Sequence, residues 1–237
     1  MDIQRESMEY DVVIVGAGPA GLATSIKLKQ INPDLNVCIL EKGSEVGAHI
    51  LSGNVFETRA LDELIPNWKE KHAPIKTKVK KEKFLFLSKK NSLSWPTWLL
   101  PNVQKNHKNY IIRLANLCRW LSTQAEDLGV EIFPGFAASN IIYDDEKKIV
   151  GVQTGDMGID KDGNHKDSFE PGLNIFAKVT VLSEGCRGHL GKEVISKFKL
   201  NENKSPQQYG IGFKEIWEIP EDQHDEGMVM HTAGWPL

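Results

Sequence analysis

The chain has 237 residues, 40% of them hydrophobic, with 29 basic and 32 acidic side chains and a net charge of −3. That length holds one large domain or two small ones, and the balanced charge leaves no footprint for a nucleic acid or another polyanion. Three scattered cysteines, Cys38, Cys118 and Cys186, argue against a disulfide framework, form no metal-ligand quartet and suit a reducing compartment. Cys38 and Cys118 read as packing residues. No apolar run approaches the ~20 residues of a membrane-spanning helix. Met1 to Tyr10 is polar and unlike a targeting peptide. The expectation is a soluble or peripherally attached protein that begins at its functional domain.

Asp11 to Val15 predicts a strand, and Pro19 to Gln30 a helix with Ala20, Leu22, Ala23, Ile26 and Leu28 on its apolar face. Val37 to Glu41 predicts a second strand. Between the first strand and the helix, Gly16, Gly18 and Gly21 stand in the spacing G-x-G-x-x-G. In this context the pattern brings backbone N–H groups and a helix N-terminus to a pyrophosphate. The whole turn, Gly16, Ala17, Gly18, Pro19, Ala20 and Gly21, is the expected cradle. Glu41, twenty residues past Gly21, is placed to accept hydrogen bonds from ribose hydroxyls, with Lys42 beside it. The glycine-rich run Lys42 to Gly53 is too broken for a helix. Of two readings, a surface loop or a cofactor loop that supplies backbone N–H groups and small side chains to a flat ring system, the second is adopted.

The Lys-rich patch at Lys76 to Lys83 reads as a solvated surface. Phe84 to Leu87 and Leu93 to Leu100 form an aromatic pair of segments among Lys89, Lys90 and Lys105. Two readings compete: a core hairpin, or an exposed apolar patch with basic flanks. The core hairpin is adopted. Tyr110 to Leu128 predicts a helix ended by Gly129. Arg113, in its first turns, is either an exposed ion pair or a phosphate or flavin contact. Val130 to Phe133 reads as a strand, and Ala137 to Tyr143 with Ile149 to Thr154 as a hairpin. Met157 to Pro171 lacks the acid pattern of a Ca²⁺ loop and reads as another hairpin loop. Leu173 to Leu182 is a strand running into Ser183 to His189, then a helix, Leu190 to Phe198. That junction offers a second backbone contact to a cofactor. There is no second glycine fingerprint, which argues against a separate nicotinamide domain. Tyr209 to Trp217 and Met228 to Thr232 read as sheet strands, and the ending on apolar residues in mid-sheet suggests an incomplete protein.

Taken together, the runs GAGPAGLATSIKLKQ, EKGSEVGAHILSG, LIPNWKEKHAP, NYIIRLANLCRWLSTQAEDLGVEIFPGFAA, TGDMGIDKDGNHKDSF, EGCRGHL, QQYGIGFKEIW and HTAGWPL resemble the electron transfer flavoprotein–ubiquinone oxidoreductase family, from about Tyr10 to Leu237. The resemblance implies an α/β fold: a Rossmann-like FAD-binding domain of the glutathione-reductase and p-hydroxybenzoate-hydroxylase type, with inserted β-rich segments, incomplete at the C-terminus. Residues 1–75 and 109–200 would build that domain. Residues 76–108 would be an aromatic and basic insertion with a possible membrane-facing surface, and 201–237 the start of a β-rich quinone domain.

The cofactor implied is FAD, with a [4Fe–4S] cluster in complete members whose four cysteines would lie beyond Leu237. The partners implied are electron transfer flavoprotein, ubiquinone and one face of a respiratory membrane. That is the cytoplasmic face of a bacterial inner membrane, or the matrix side in a mitochondrion. Matched residue by residue, the resemblance implies that His49, Ile50, Leu51, Ser52 and Gly53 line the flavin region, Arg113 approaches the phosphates, Ala137 and Ala138 the adenine, and Glu184 with Gly185 the second FAD contact. The membrane-associated surface of the family maps onto Ile50 to Lys71 and the nearby aromatic segments. No catalytic side chain is required, because a flavin carries its own redox chemistry. The alternatives are a geranylgeranyl-reductase-like flavoprotein and a truncated, non-functional remnant.

Overall fold

The structure is a computed structural model and describes residues 4–51 and 53–236. Strand β1 (Ser7–Val15) runs into helix α1 (Pro19–Ile31) and strand β2 (Val37–Glu41). After these come β3 (Asn54–Phe56), α2 (Arg59–Leu64), β4 (Thr77–Lys78), β5 (Lys81–Leu87), β6 (Ser92–Trp95) and β7 (Tyr110–Ile112). Helix α3 (Leu114–Glu126) leads to β8 (Glu131–Pro134), β9 (Ala138–Tyr143), β10 (Ile149–Thr154), β11 (Met157–Ile159), β12 (His165–Glu170) and β13 (Asn174–Leu182). Helix α4 (His189–Lys197) and β14 (Met228–Gly234) complete the order. Residues 4–50 and 118–211 form one compact unit, and residues 51–117 and 212–236 a second.

In the first unit six strands line up as β8-β2-β1-β13-β10-β9. The first four are parallel and the last two close the sheet as an antiparallel hairpin. The predicted β-α-β opening is present, and it is extended by two further parallel strands, β8 beside β2 and β13 beside β1 from Ser7 to Val15. Parallel strands covered on both faces need continuous apolar runs. Val12, Val13, Ile14 and Val15 are all buried, as are Val37 to Leu40 on β2.

Helix α1 buries a face different in detail from the predicted one. Gly21, Leu22, Ser25, Ile26 and Lys29 are inside, while Ala20 is exposed. The two polar members fit because their polar atoms are satisfied. The Ser25 hydroxyl donates to the Leu22 carbonyl at 2.8 Å, and the Lys29 ammonium donates to the Leu35 carbonyl at 2.9 Å. Cys38 and Cys118 are fully buried, and burial above all pushes their thiols up to about 12 and about 11. Both are packing residues.

Helix α3 is shorter than the predicted Tyr110 to Leu128. The aromatic and β-branched run Tyr110–Ile112 suits a pleated surface better than a helix, and it pairs antiparallel with both β3 and β4. Arg113 therefore precedes the helix. At the other end, Gly129 N–H bonds to Glu126 and Val130 N–H to Ala125, the reciprocal pair of a Schellman stop.

In the second unit, β5 and β6 form the predicted hairpin, and β14 joins β5 in parallel. The core reading of this hairpin is overturned. Phe86 is 43% exposed, Leu93 65% and Trp95 40%, and beyond the hairpin Trp98 and Val103 reach 74% and 93%. The aromatic face has no covering layer among the described residues. The predicted strand Tyr209 to Trp217 is also absent. That segment alternates like a strand but has no ladder partner among the described residues, and Ile211, Phe213, Ile216 and Trp217 are exposed. A strand is defined by its neighbour as much as by its own pattern. What anchors this unit is Trp68, buried edge-on against Tyr110, with its indole N–H donating to Asp62 at 2.6 Å.

One ion pair ties the start of the chain to the sheet. The Arg5 guanidinium donates to both oxygens of Asp156 and to the Gly172 carbonyl, and Gly172 N–H donates back to Asp156. The Arg5 bond first, and the Gly172 bond second, hold the Asp156 carboxyl down at about 2. A carboxyl lowered on folding stabilises the protein above its ordinary value near pH 4, and that stability is lost as pH falls toward 2. Asp156→Asn is expected to cost about 1–2 kcal/mol at neutral pH and to flatten the decline between about pH 4 and 2. Urea unfolding of both proteins across that range checks this, and parallel curves would remove Asp156 from the acid response.

Candidate cofactor-binding site

The glycine turn sits where β1 gives way to α1, and its three glycines are there for three different reasons. Gly16 has φ +105°, and a Cβ there would lie 2.6 Å from the Ser183 carbonyl oxygen. Gly16 N–H donates to Leu40 and Ser183 N–H to Val15, so the turn is laced to the strands on either side. A Cβ on Gly21 would lie 2.1 Å from the Gly16 carbonyl oxygen and 3.2 Å from Ile14 Cγ2. Both positions are closed by protein. Gly18 is open: a Cβ there would meet nothing within 4 Å.

Gly18 is also the N-cap of α1, with no side-chain cap, no acid in the first turn and Pro19 at the helix start. The leading N–H groups of a 13-residue helix are thus left for an outside acceptor. An anionic group fits this cradle: backbone donors face open space, and a β-carbon would intrude only there.

Glu41 ends β2 beside the turn. Its carboxylate accepts Ala17 N–H at 2.9 Å and Gly43 N–H at 2.7 Å, so it bridges the glycine turn and the following loop. This second task, organising two loops, was not part of the sequence expectation. A carboxylate has about four lone-pair sites, so capacity remains for hydroxyl donors. The loop is irregular as predicted. Lys42 and His49 are exposed and Ile50 half-buried, and Glu45 pairs with Arg119 at 2.8 Å.

Ala137 is exposed and its carbonyl accepts Gly155 N–H. Ala138 starts β9 with its methyl in the core, so it offers an outside group only backbone. Glu184 has a role that the spacing concealed. Its carboxylate accepts the N–H groups of His189, Leu190 and Gly191 at 3.1, 3.3 and 2.8 Å, capping α4. An acid a few residues before a predicted helix was the available signal. Gly185, at φ +80° and exposed, meets nothing within 4 Å at its Cβ position.

Three expected residues belong to the second unit. Leu51 and Gly53 are exposed, and the Gly53 carbonyl accepts the Lys214 ammonium at 2.9 Å. Arg113 is exposed and takes part in no ion pair among the described residues, so that alternative is not realised there. It lines an open cavity of about 740 Å³ with Lys76, Thr77, Asn116, Phe213 and Ile216. Ser52 lies outside the described residues. Among the described residues no group of three or more His, Cys, Asp or Glu side chains is placed to hold a metal ion.

Residues 1–63 match the model of the Thi4 family, and residues 209–237 match the model described as ETF-QO, ubiquinone-binding. A probable electron transfer flavoprotein-ubiquinone oxidoreductase of Acinetobacter baylyi is 55% identical, over 99% of this chain and 42% of its own length. The mitochondrial electron transfer flavoprotein-ubiquinone oxidoreductase of Arabidopsis thaliana is 53% identical, over 98% of this chain and 37% of its own. The chain thus spans about two fifths of the length of these relatives. Among solved structures, the flavin-dependent brominase Bmp2 superposes with a TM-score of 0.54 at 19% identity, covering 80% of this chain and 40% of that one. At that identity the likeness concerns the fold alone, a Rossmann-like domain of the kind found in FAD-dependent enzymes.

Two substitutions separate cradle from scaffold. Gly18→Val is expected to keep the fold and its thermal midpoint while abolishing dinucleotide binding in a titration followed by flavin fluorescence. Gly21→Ala forces a carbon against the Gly16 carbonyl and is expected to cost about 3 kcal/mol in urea unfolding. A Gly18→Val protein that binds flavin normally would remove Gly18 from the site. Separately, Glu184→Ala is expected to cost about 1–2 kcal/mol through the lost cap of α4. Unchanged stability in the same unfolding measurement would contradict that role.

Proposed function

We infer, for a chain that belongs to the electron transfer flavoprotein–ubiquinone oxidoreductase family, that it is the amino-terminal portion of an FAD-dependent oxidoreductase passing electrons from reduced electron transfer flavoprotein to ubiquinone. The observation that carries this is the joining of 55% sequence identity over 99% of the chain to a turn open at Gly18 and closed at Gly16 and Gly21. When bound, FAD supplies the electron-transfer chemistry, so no nucleophile or acid–base pair is required of the protein.

The residues of this chain bind and orient. Within the turn Gly16 to Gly21, the N–H groups of Gly18, Ala20 and Gly21 are the donors for the pyrophosphate, since those of Gly16 and Ala17 serve Leu40 and Glu41. Glu41 accepts from the ribose while holding Ala17 and Gly43 in place. Arg113 supplies a guanidinium to the phosphates, Ala137 and Ala138 supply backbone near the adenine, and the Leu51 to Gly53 stretch lies along the ring system. Glu184 acts by fixing the start of α4, which positions Gly185.

In this division residues 1–75 and 109–200 serve the flavin, 76–108 serve the membrane, and 201–237 open the quinone domain. Phe213 and Ile216, within the segment that matches the ubiquinone-binding model, line the cavity and are the apolar groups offered to the acceptor. The cluster-bearing segment lies beyond Leu237 in this reading. Contact with the respiratory membrane is peripheral. Among the described residues no helix is long and apolar enough to cross it, while the face around Leu93, Trp95 and Trp98 is exposed.

The test is ubiquinone-dependent reoxidation of reduced electron transfer flavoprotein by the protein purified from its native source. The expected result is turnover with a flavin absorbance, both lost when Gly18→Val is introduced at the chromosomal locus. A flavin-loaded protein that leaves reduced electron transfer flavoprotein untouched would overturn the reading.

A further inference from the structure

The lysines around the exposed apolar face of the second unit carry an inference about which lipid it meets, and it rests on the membrane reading above. The β5–β6 register sets Phe84 opposite Trp95 and Phe86 opposite Leu93, so all four side chains share one face of the hairpin. Phe86 and Trp95 meet edge-on with ring centres 6.0 Å apart. Trp98, Leu99 and Val103 extend the apolar surface through two short 3₁₀ turns, Thr97–Leu99 and Asn102–Gln104.

The stretch that builds this face carries charge of one sign, and the acid that reaches its edge, Glu82, is taken up by Asn106. From Phe84 to Ile112 there are four lysines and no aspartate or glutamate. Lys89 and Lys90 occupy the exposed hairpin tip, closed by Ser88 N–H bonding to Asn91, and Lys105 and Lys108 follow the second 3₁₀ turn. Two cations at the start of β5 are, by contrast, paired. Lys80 pairs with Glu226, and Lys81 with Asp225 at 2.9 Å. Among the described residues no ion pair involves Lys89, Lys90 or Lys105.

An apolar face alone would insert into any bilayer interface. A rim of unmatched ammonium groups adds a preference that a zwitterionic surface cannot satisfy, worth about fivefold in partitioning for each cation close to anionic headgroups. We propose that this face docks on a membrane rich in anionic phospholipid, with Leu93, Trp95, Trp98 and Leu99 in the interface and Lys89, Lys90 and Lys105 on the phosphates.

The test is co-sedimentation of the full chain with phosphatidylcholine vesicles and with vesicles that also contain phosphatidylglycerol, at low and high salt. The mixed vesicles are expected to bind at least about tenfold more strongly, an advantage that shrinks as salt rises. The triple variant Lys89→Gln, Lys90→Gln, Lys105→Gln is expected to lose that advantage and keep its binding to phosphatidylcholine. Leu93→Ser with Trp98→Ser is expected to weaken binding to both. These sites lie outside the core, so an unchanged circular dichroism spectrum accompanies each variant. Equal binding of the wild type to both vesicles overturns the headgroup proposal and leaves the membrane reading standing. Binding to neither overturns both. A triple variant that keeps the wild-type preference overturns the assignment to these lysines, and self-association through this face in sedimentation velocity runs, with no vesicle binding, assigns the face to a second copy instead.

Discussion

The first unit depends on one close approach, that of Gly21 on α1 to the Gly16 carbonyl at the end of β1. With 2.1 Å between that oxygen and the place a β-carbon would take, no other residue fits. The approach fixes the height and angle at which α1 leaves the sheet, and so the direction of its first N–H groups. Glu41 locks the same corner from the neighbouring strand by accepting from Ala17 on one side and Gly43 on the other. The packing of Val12 to Val15 between β2 and β13 then holds the corner rigid from below. Gly18 is the exception that gives the arrangement a purpose, since the protein itself makes no use of the space beside it.

Much of this corner was legible in the sequence because local rules govern it. An apolar strand, a glycine spacing, a helix with proline at its start and an acid after the next strand each report a short-range constraint, and they agree with one another. The strand Asn174–Leu182 was legible as a strand from its apolar run, while its place beside β1 is a long-range pairing that the run does not display. What failed lay in long-range pairing and burial. Tyr110–Ile112 reads as the start of a helix until β3 and β4 arrive on either side of it. Tyr209 to Trp217 has the alternation of a strand and lacks a neighbour among the described residues. Phe86, Leu93 and Trp95 have core composition, and composition does not say which face stays wet.

The side chains that sequence misassigned or half-assigned are those with two tasks. Glu41 was placed at a ribose, and it also organises two loops. Glu184 was placed at the cofactor, and its carboxylate is engaged by three N–H groups of α4. Lys29 was not among the residues of the predicted apolar face, yet it is buried with its ammonium on the Leu35 carbonyl. In each case the polar group meets a backbone need at an element end, which a one-dimensional pattern does not display.

The second unit obeys a different balance. Its anchor is the Trp68, Tyr110 and Asp62 cluster, while much of its aromatic content remains outside. An exposed apolar surface of this kind has a cost in water that a partner layer removes, and the acid-free stretch around it selects what that layer can be.

The central claim, that the α1 N-terminus and its open glycine hold the pyrophosphate of a flavin dinucleotide, is tested most directly by titrating FAD into the ¹⁵N-labelled protein and following the backbone amides of residues 16–22. The account predicts that the Gly18, Ala20 and Gly21 amide resonances move together with bound flavin and become protected from hydrogen exchange. Saturation with FAD that leaves those amides unmoved and unprotected, with changes confined to other parts of the chain, would contradict it.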